Sequence, residues 1–270
     1  MPQRYSYGDD PSQYADLFLP AEQRHRAVVV IIHGGYWRSQ YDAGLGVPLA
    51  EDLSARGYAC WNLEYRRAGN GGGWPETFDD VGSGIDALVR AAVEHELELE
   101  NVIALGHSAG GHLAVWAAGR DTMPDGGRNG PSDPTGSESD GSRVKLTGVV
   151  SQSGLLNLHM AHSLGLSGGA AENLMGAAPE TDPERWRLAD PMSAIPLNVP
   201  VFALHGEDDV TVPLSESTSY VDAAVAAGAD VELRMIPGDH FGMITADTAA
   251  WEQVVTAVAD LAQETDPAPG

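Results

Sequence analysis

Cysteine is almost missing from this 270-residue chain: Cys60 stands alone, which excludes a disulfide framework and a thiolate metal cluster. It lies in the apolar run 58–63 and reads as a small buried core residue. Lysine is equally scarce, with Lys145 the single example, and 15 basic residues face 39 acidic ones for a formal net charge of −24. Such a surface repels nucleic acid and anionic membranes, so a polyanion-binding role is excluded. The same acidic, lysine-poor character suits a high-salt habitat, where stability would rise with salt. Also lacking is any apolar run near the roughly 18 residues that span a bilayer, and the opening MPQRYSYGDD has no charged-then-apolar leader pattern. The expectation is a cytoplasmic protein without membrane association. No internal repeat is present, and an α/β unit of this length usually forms one domain, here 1–270.

What is present alternates between strand and helix signals. Residues 5–20 read as edge strands. The β-branched run 27–32 reads as a central strand buried on both faces. A helix over 47–56, a strand over 58–65 and a helical spacing of Phe78, Val81, Ile85, Leu88 and Ala92 over 76–96 follow. The pattern is that of a mostly parallel sheet flanked by helices. The stretch 120–143 is Gly/Pro/Ser/Asp-rich without apolar periodicity and is expected to be a flexible surface insertion. The irregular segment 154–190, with short helical pieces at 170–175 and 183–188, is expected to lie over the sheet as a small cap. Strands over 199–204 and 231–236 and helices over 213–227 and 248–263 complete the chain.

The stretch NVIALGHSAGGH, 101–112, organises the rest. An apolar strand runs into Gly-His-Ser-Ala-Gly and then into an Ala-rich helix, the context that a strained strand-turn-helix elbow requires. Gly106 and Gly110 leave room at the turn, and Ser108 is held out at the carboxyl edge of the sheet. A serine hydroxyl is a weak nucleophile unless a base and an orienting carboxylate assist it. HGEDDVTVP after one later strand supplies Asp208 and Asp209, and PGDHFG after the last strand supplies His240. The order Ser108, Asp209, His240 is the one this elbow architecture uses. Asp209 is favoured over Asp208 because it stands at a fixed offset before Val212-Pro213; Asp208 is expected to cap or solvate the turn and Asp239 to be an exposed loop carboxylate.

HGGYW, 33–37, is the second signal. An attacked carbonyl becomes an oxyanion, and backbone N–H groups reach it only where side chains do not intervene, as at Gly34 and Gly35; Ala109 would supply the partner N–H. Tyr36 and Trp37 are expected to wall the substrate pocket. His33, His107 and His112 are read as packing or hydrogen-bonding residues, Arg66 and Arg67 with Glu64 as a structural ion pair. His159 and His162 lack enough partners for a metal site, so no metal is expected.

With GHSAGG, HGGYW, HGEDDVTVP and PGDHF in this order, the chain resembles the α/β-hydrolase fold over nearly its whole length. HGG-x-W with the strand end NLEYR is similar to the kynurenine formamidase (arylformamidase) group and neighbouring bacterial carboxylesterases. The resemblance implies cleavage of a small ester or aryl formamide through an acyl-enzyme on Ser108, with no cofactor. Gly111 is a departure, since formamidases of this group often have Ala there, and GHSAGGHLAVWAA is closer to generic esterases and prolyl-oligopeptidase-like hydrolases. A ligand-binding protein on a dead hydrolase scaffold would lack one of the three residues, and a dehalogenase would carry a carboxylate at the elbow; a C–C bond hydrolase remains an alternative. The expected partner is a small-molecule ester or amide, with a homodimer left open.

Overall fold

The computed structural model describes residues 1–122 and 143–265. Among these described residues eight strands form one sheet in the order β1-β2-β4-β3-β5-β6-β7-β8. Strands β1 (Gln3–Ser6) and β2 (Tyr14–Phe18) pair antiparallel at one edge, and β2 joins β4 (Ala59–Leu63) in the same sense. From β4 onward every pairing is parallel, through β3 (Val28–Ile32), β5 (Val102–His107), β6 (Gly148–Gln152), β7 (Val201–Gly206) and β8 (Val231–Ile236). Parallel pairing puts the carboxyl ends of β3, β5, β7 and β8 on one edge, where open α/β sheets build their sites.

Burial on both faces explains the strand composition. In β3, Val28, Val30 and Ile32 join one core cluster while Val29 and Ile31 join the other. Full burial of each such side chain is worth roughly 1.5–3 kcal/mol. The first cluster packs under α2 (Glu76–Asp86), α3 (Leu88–His95) and α4 (Ala109–Gly119); the second packs under α1 (Val47–Ala55) and α9 (Ala249–Thr265). Cys60 is buried in the second cluster, as expected.

The helical spacing over 76–96 is realised as two helices, α2 and α3, because the chain tightens at Ala87, where Arg90 N–H bonds the Ala87 carbonyl. Segment 154–190 contains α5 (Leu158–Ser163), α6 (Leu166–Met175) and α7 (Pro183–Ala189). The first of these was not expected; its N-terminus is built by Asn157, whose side chain accepts from Met160 N–H. Helix α8 (Ser215–Ala226) follows β7. Most of the stretch expected as a flexible insertion lies outside the described residues. Its first residue, Arg120, is buried and bonds the carbonyls of Gly82 and Val144 and the Asp86 carboxylate. Among the described residues no helix is long and apolar enough to cross a membrane.

Candidate active site

Ser108 joins β5 to α4 with φ 54° and ψ −118°, a conformation costing of order 1–3 kcal/mol. The surroundings hold it there. Its N–H donates to the Gln152 carbonyl at 2.8 Å, and its own carbonyl accepts from His112 N–H. A Cβ on Gly106 would lie 2.1 Å from the Gly110 carbonyl oxygen, and one on Gly110 would lie 2.0 Å from the Ile32 carbonyl oxygen. Only glycine lets strand and helix approach this closely.

His240 follows β8 and Asp209 follows β7. The His240 Nδ1–H donates to Asp209 Oδ2 at 2.6 Å, leaving Nε2 as the nitrogen free to act as a base. The other Asp209 oxygen accepts the Thr211 and Val212 amides at 2.8 and 2.9 Å. Burial works against the Asp209 charge, but the bonds from His240 and Val212 and from the Ser153 hydroxyl outweigh it and hold the carboxyl well below the usual carboxylate range. Asp208 is exposed and solvated, whereas Asp239 is an exposed loop carboxylate that also accepts the Phe241 and Gly242 amides.

Two further histidines brace this pair. The His107 Nε2–H donates to the His240 carbonyl at 2.9 Å, with the two rings 4.6 Å apart. Burial and the neighbouring His240 push His107 down to about 3, so it stays neutral. Behind Asp209, the His205 Nε2–H donates to the Val212 carbonyl at 3.1 Å while Nδ1 accepts from Ser217 at 2.9 Å. His112 is buried, its Nε2–H donating to the Ala189 carbonyl.

The turn at 33–35 lies against the elbow. A Cβ on Gly34 would come within 2.7 Å of the His107 carbonyl oxygen and 3.1 Å of the Ser108 Cβ, so no side chain fits between them. Gly35 has φ +110°, with Tyr41 packed where a Cβ would go. Among the described residues, the amides of Gly34, Gly35 and Tyr36 donate to no backbone carbonyl. The Ala109 amide is in the first turn of α4, where a helix leaves N–H groups unspent.

The expectation that Trp37 walls a pocket is corrected by its burial. Tyr36 is half-buried, its hydroxyl donating to the Thr211 carbonyl at 2.9 Å. Trp37 is 0% exposed and packs edge-on against His112 with ring centroids 5.1 Å apart. It is a core residue, not a pocket wall. Tyr36 and Trp37 both have positive φ, 51° and 54°.

Arg67 pairs with Glu64 in the interior and Arg66 with Asp80, as structural ion pairs. His159 and His162 sit beside Trp186. Among the described residues no group of three or more His, Cys, Asp or Glu is placed to hold a metal ion. Three participants escaped the sequence reading: Ser153, whose hydroxyl reaches Asp209; Tyr65, bonded to His33; and Glu216, fully buried with Oε1 unpartnered and Oε2 accepting the Asn157 amide. Position alone was a signal for Ser153, which directly follows a sheet strand at its carboxyl end.

The chain is 27% identical to esterase LipC of Mycobacterium tuberculosis over 95% of its own length and 63% of the relative's. It is 27% identical to a probable isoprenylcysteine alpha-carbonyl methylesterase of Arabidopsis thaliana over 86% of its length and 49% of that protein's. It thus spans less than two-thirds of the length of these curated relatives. Among solved structures, esterase B from Lactobacillus rhamnosis superimposes with a TM-score of 0.78 at 20% identity, covering 98% of this chain and 87% of the other. Thermogutta terrifontis esterase 2 gives 0.75 at 20% identity, covering 100% and 97%. These likenesses establish the α/β-hydrolase fold. The BD-FAE family model matches residues 15–223, which include the Ser108 elbow, the 33–37 turn and Asp209, and on that match the chain belongs to the BD-FAE family.

Proposed function

We propose that this protein is a serine hydrolase that cleaves small carboxylic esters through an acyl-enzyme on Ser108. The observation that carries the reading is the 2.6 Å bond from His240 Nδ1 to Asp209, on a loop anchored by His107, the residue before a serine held at a strained elbow. Asp209 keeps its charge, fixes the imidazole tautomer and favours the imidazolium that forms when His240 takes the Ser108 proton. The serine oxygen bonds to the acyl carbon, and the carbonyl oxygen collects negative charge facing the amides of Gly34, Gly35 and Ala109. His240 then protonates the leaving alcohol, and water repeats the sequence in reverse to free the acid. Each well-aimed amide is worth about 3 kcal/mol of barrier.

The relatives named as esterases support an ester substrate. A second reading, aryl formamide hydrolysis, is favoured by the HGGYW and NLEYR motifs. Against it, a Cβ at Gly111, where formamidases of this group often carry Ala, would lie 2.6 Å from Ser151 Oγ and 2.8 Å from Gly154 Cα. The test is a screen of acetyl and butyryl aryl esters against N-formylkynurenine. The ester reading expects the higher kcat/KM for a short-acyl ester; a preference for the formamide by several orders of magnitude reverses the order of the two readings.

A further inference from the structure

One side chain just past β4 and one just past β3 grip successive carbonyls of the 33–35 turn. The Tyr65 hydroxyl donates to the His33 carbonyl at 2.8 Å. The His33 Nδ1–H donates to the Gly34 carbonyl at 2.8 Å. The two rings stack, 4.4 Å apart and 14° from parallel. Behind them Glu64 Oε1 stands 3.4 Å from His33 Nε2, a ring nitrogen without a hydrogen-bond partner. Glu64 is itself fixed by the Tyr65 amide at 2.9 Å, the Ala43 amide at 2.6 Å and the Arg67 guanidinium. His33, Glu64, Tyr65 and Arg67 are all buried.

A trans peptide is planar, and its carbonyl and the following N–H point in opposite directions. Fixing the His33 carbonyl therefore fixes the Gly34 N–H, and fixing the Gly34 carbonyl fixes the Gly35 N–H. Glycine has no intrinsic preference that would do this, so two successive glycines need external restraint if their amides are to point one way. Catalytic electrostatics depend on such preorganisation, because donors that must reorient during reaction lose most of their benefit.

We propose that Tyr65 and His33 are positioning residues that aim the Gly34 and Gly35 amides at the developing oxyanion, Tyr65 by fixing the His33 carbonyl and the His33 ring by fixing the Gly34 carbonyl. This inference rests on the acyl-enzyme reading above. Neither side chain touches substrate: the Tyr65 hydroxyl orients one peptide and the His33 Nδ1–H orients the next.

The experiment compares Tyr65→Phe and His33→Ala with wild type in two measurements. The first is kcat and KM on a p-nitrophenyl acetate series. The second is inhibition by an aryl trifluoromethyl ketone, which forms an oxyanionic hemiketal with serine, against the matching methyl ketone. Misaimed donors should lower kcat about ten- to a hundredfold, with KM within about twofold. The trifluoromethyl ketone should weaken in parallel while the methyl ketone does not. Tyr65→Phe deletes a single oxygen and keeps the test decisive if His33→Ala fails to fold. If folded Tyr65→Phe keeps wild-type kcat, or loses both ketones equally, the positioning role is overturned while the acyl-enzyme reading stands. A wild type that forms no hemiketal overturns both.

Discussion

The Nε2–H of His107 holds the backbone carbonyl of His240 at 2.9 Å, so the residue immediately before the candidate nucleophile anchors the loop that carries the candidate base. Two loops more than a hundred residues apart are tied at the reacting centre by a histidine that burial keeps neutral. Replacing His107 with Ala removes a buried hydrogen bond and leaves a void. The expected outcome is a loss of about 2 kcal/mol or more in stability with a lower kcat, followed by urea unfolding and initial rates. His107→Gln retains a donor and should recover part of both.

Asp209→Asn keeps the shape but favours the wrong imidazole tautomer. A fall of about 10⁴-fold in kcat is expected. Asp208→Asn, on an exposed side chain, should stay within about twofold of wild type. Steady-state kinetics on the pair of variants distinguishes the two neighbouring carboxylates.

Glu216 introduces a pH dependence of the opposite sign to that of a salt-bridged acid. Burial, with a contribution from Asp190 and despite the Asn157 amide, raises its carboxyl to about 8, against about 4.3 in an unfolded chain. Between these values the folded state binds the extra proton, so stability falls as pH rises through the window. Glu216→Gln removes that slope. The variant should melt above wild type at pH 8, with the gap closing toward pH 4; a melting series across that range checks it. A gap independent of pH contradicts the assignment.

Gly111 is constrained by its neighbours rather than by φ. A methyl there meets Ser151 Oγ at 2.6 Å and Gly154 Cα at 2.8 Å, and the second contact is backbone that does not rotate away. Gly111→Ala should cost about 1–3 kcal/mol, measured by chemical unfolding.

These predictions divide along what local sequence could reveal. The elbow, the 33–35 turn and the Asp209 and His240 loops are short-range signals, because each follows an apolar strand and the parallel sheet brings their ends to one edge. Trp37 was misplaced because adjacency in sequence to the turn does not fix side-chain direction once the backbone takes positive φ. Helix α5 was missed because six residues carry too little periodicity and its start depends on Asn157. Glu216 looked like an ordinary acidic residue of an amphipathic helix. Its burial depends on Asn157 and Asp190, brought to it from segment 154–190. Likewise Tyr65 read only as the last residue of a strand, and its link to the 33–35 turn follows from β3 lying beside β4.

The central claim is that Ser108 is the nucleophile. Folded protein incubated with a fluorophosphonate and mapped by mass spectrometry should carry one adduct, on Ser108. Ser108→Ala should take no label and lose about 10⁴-fold or more in turnover of p-nitrophenyl acetate. Folded wild type left unlabelled at Ser108, or a Ser108→Ala variant that turns over ester at the wild-type rate, would contradict it.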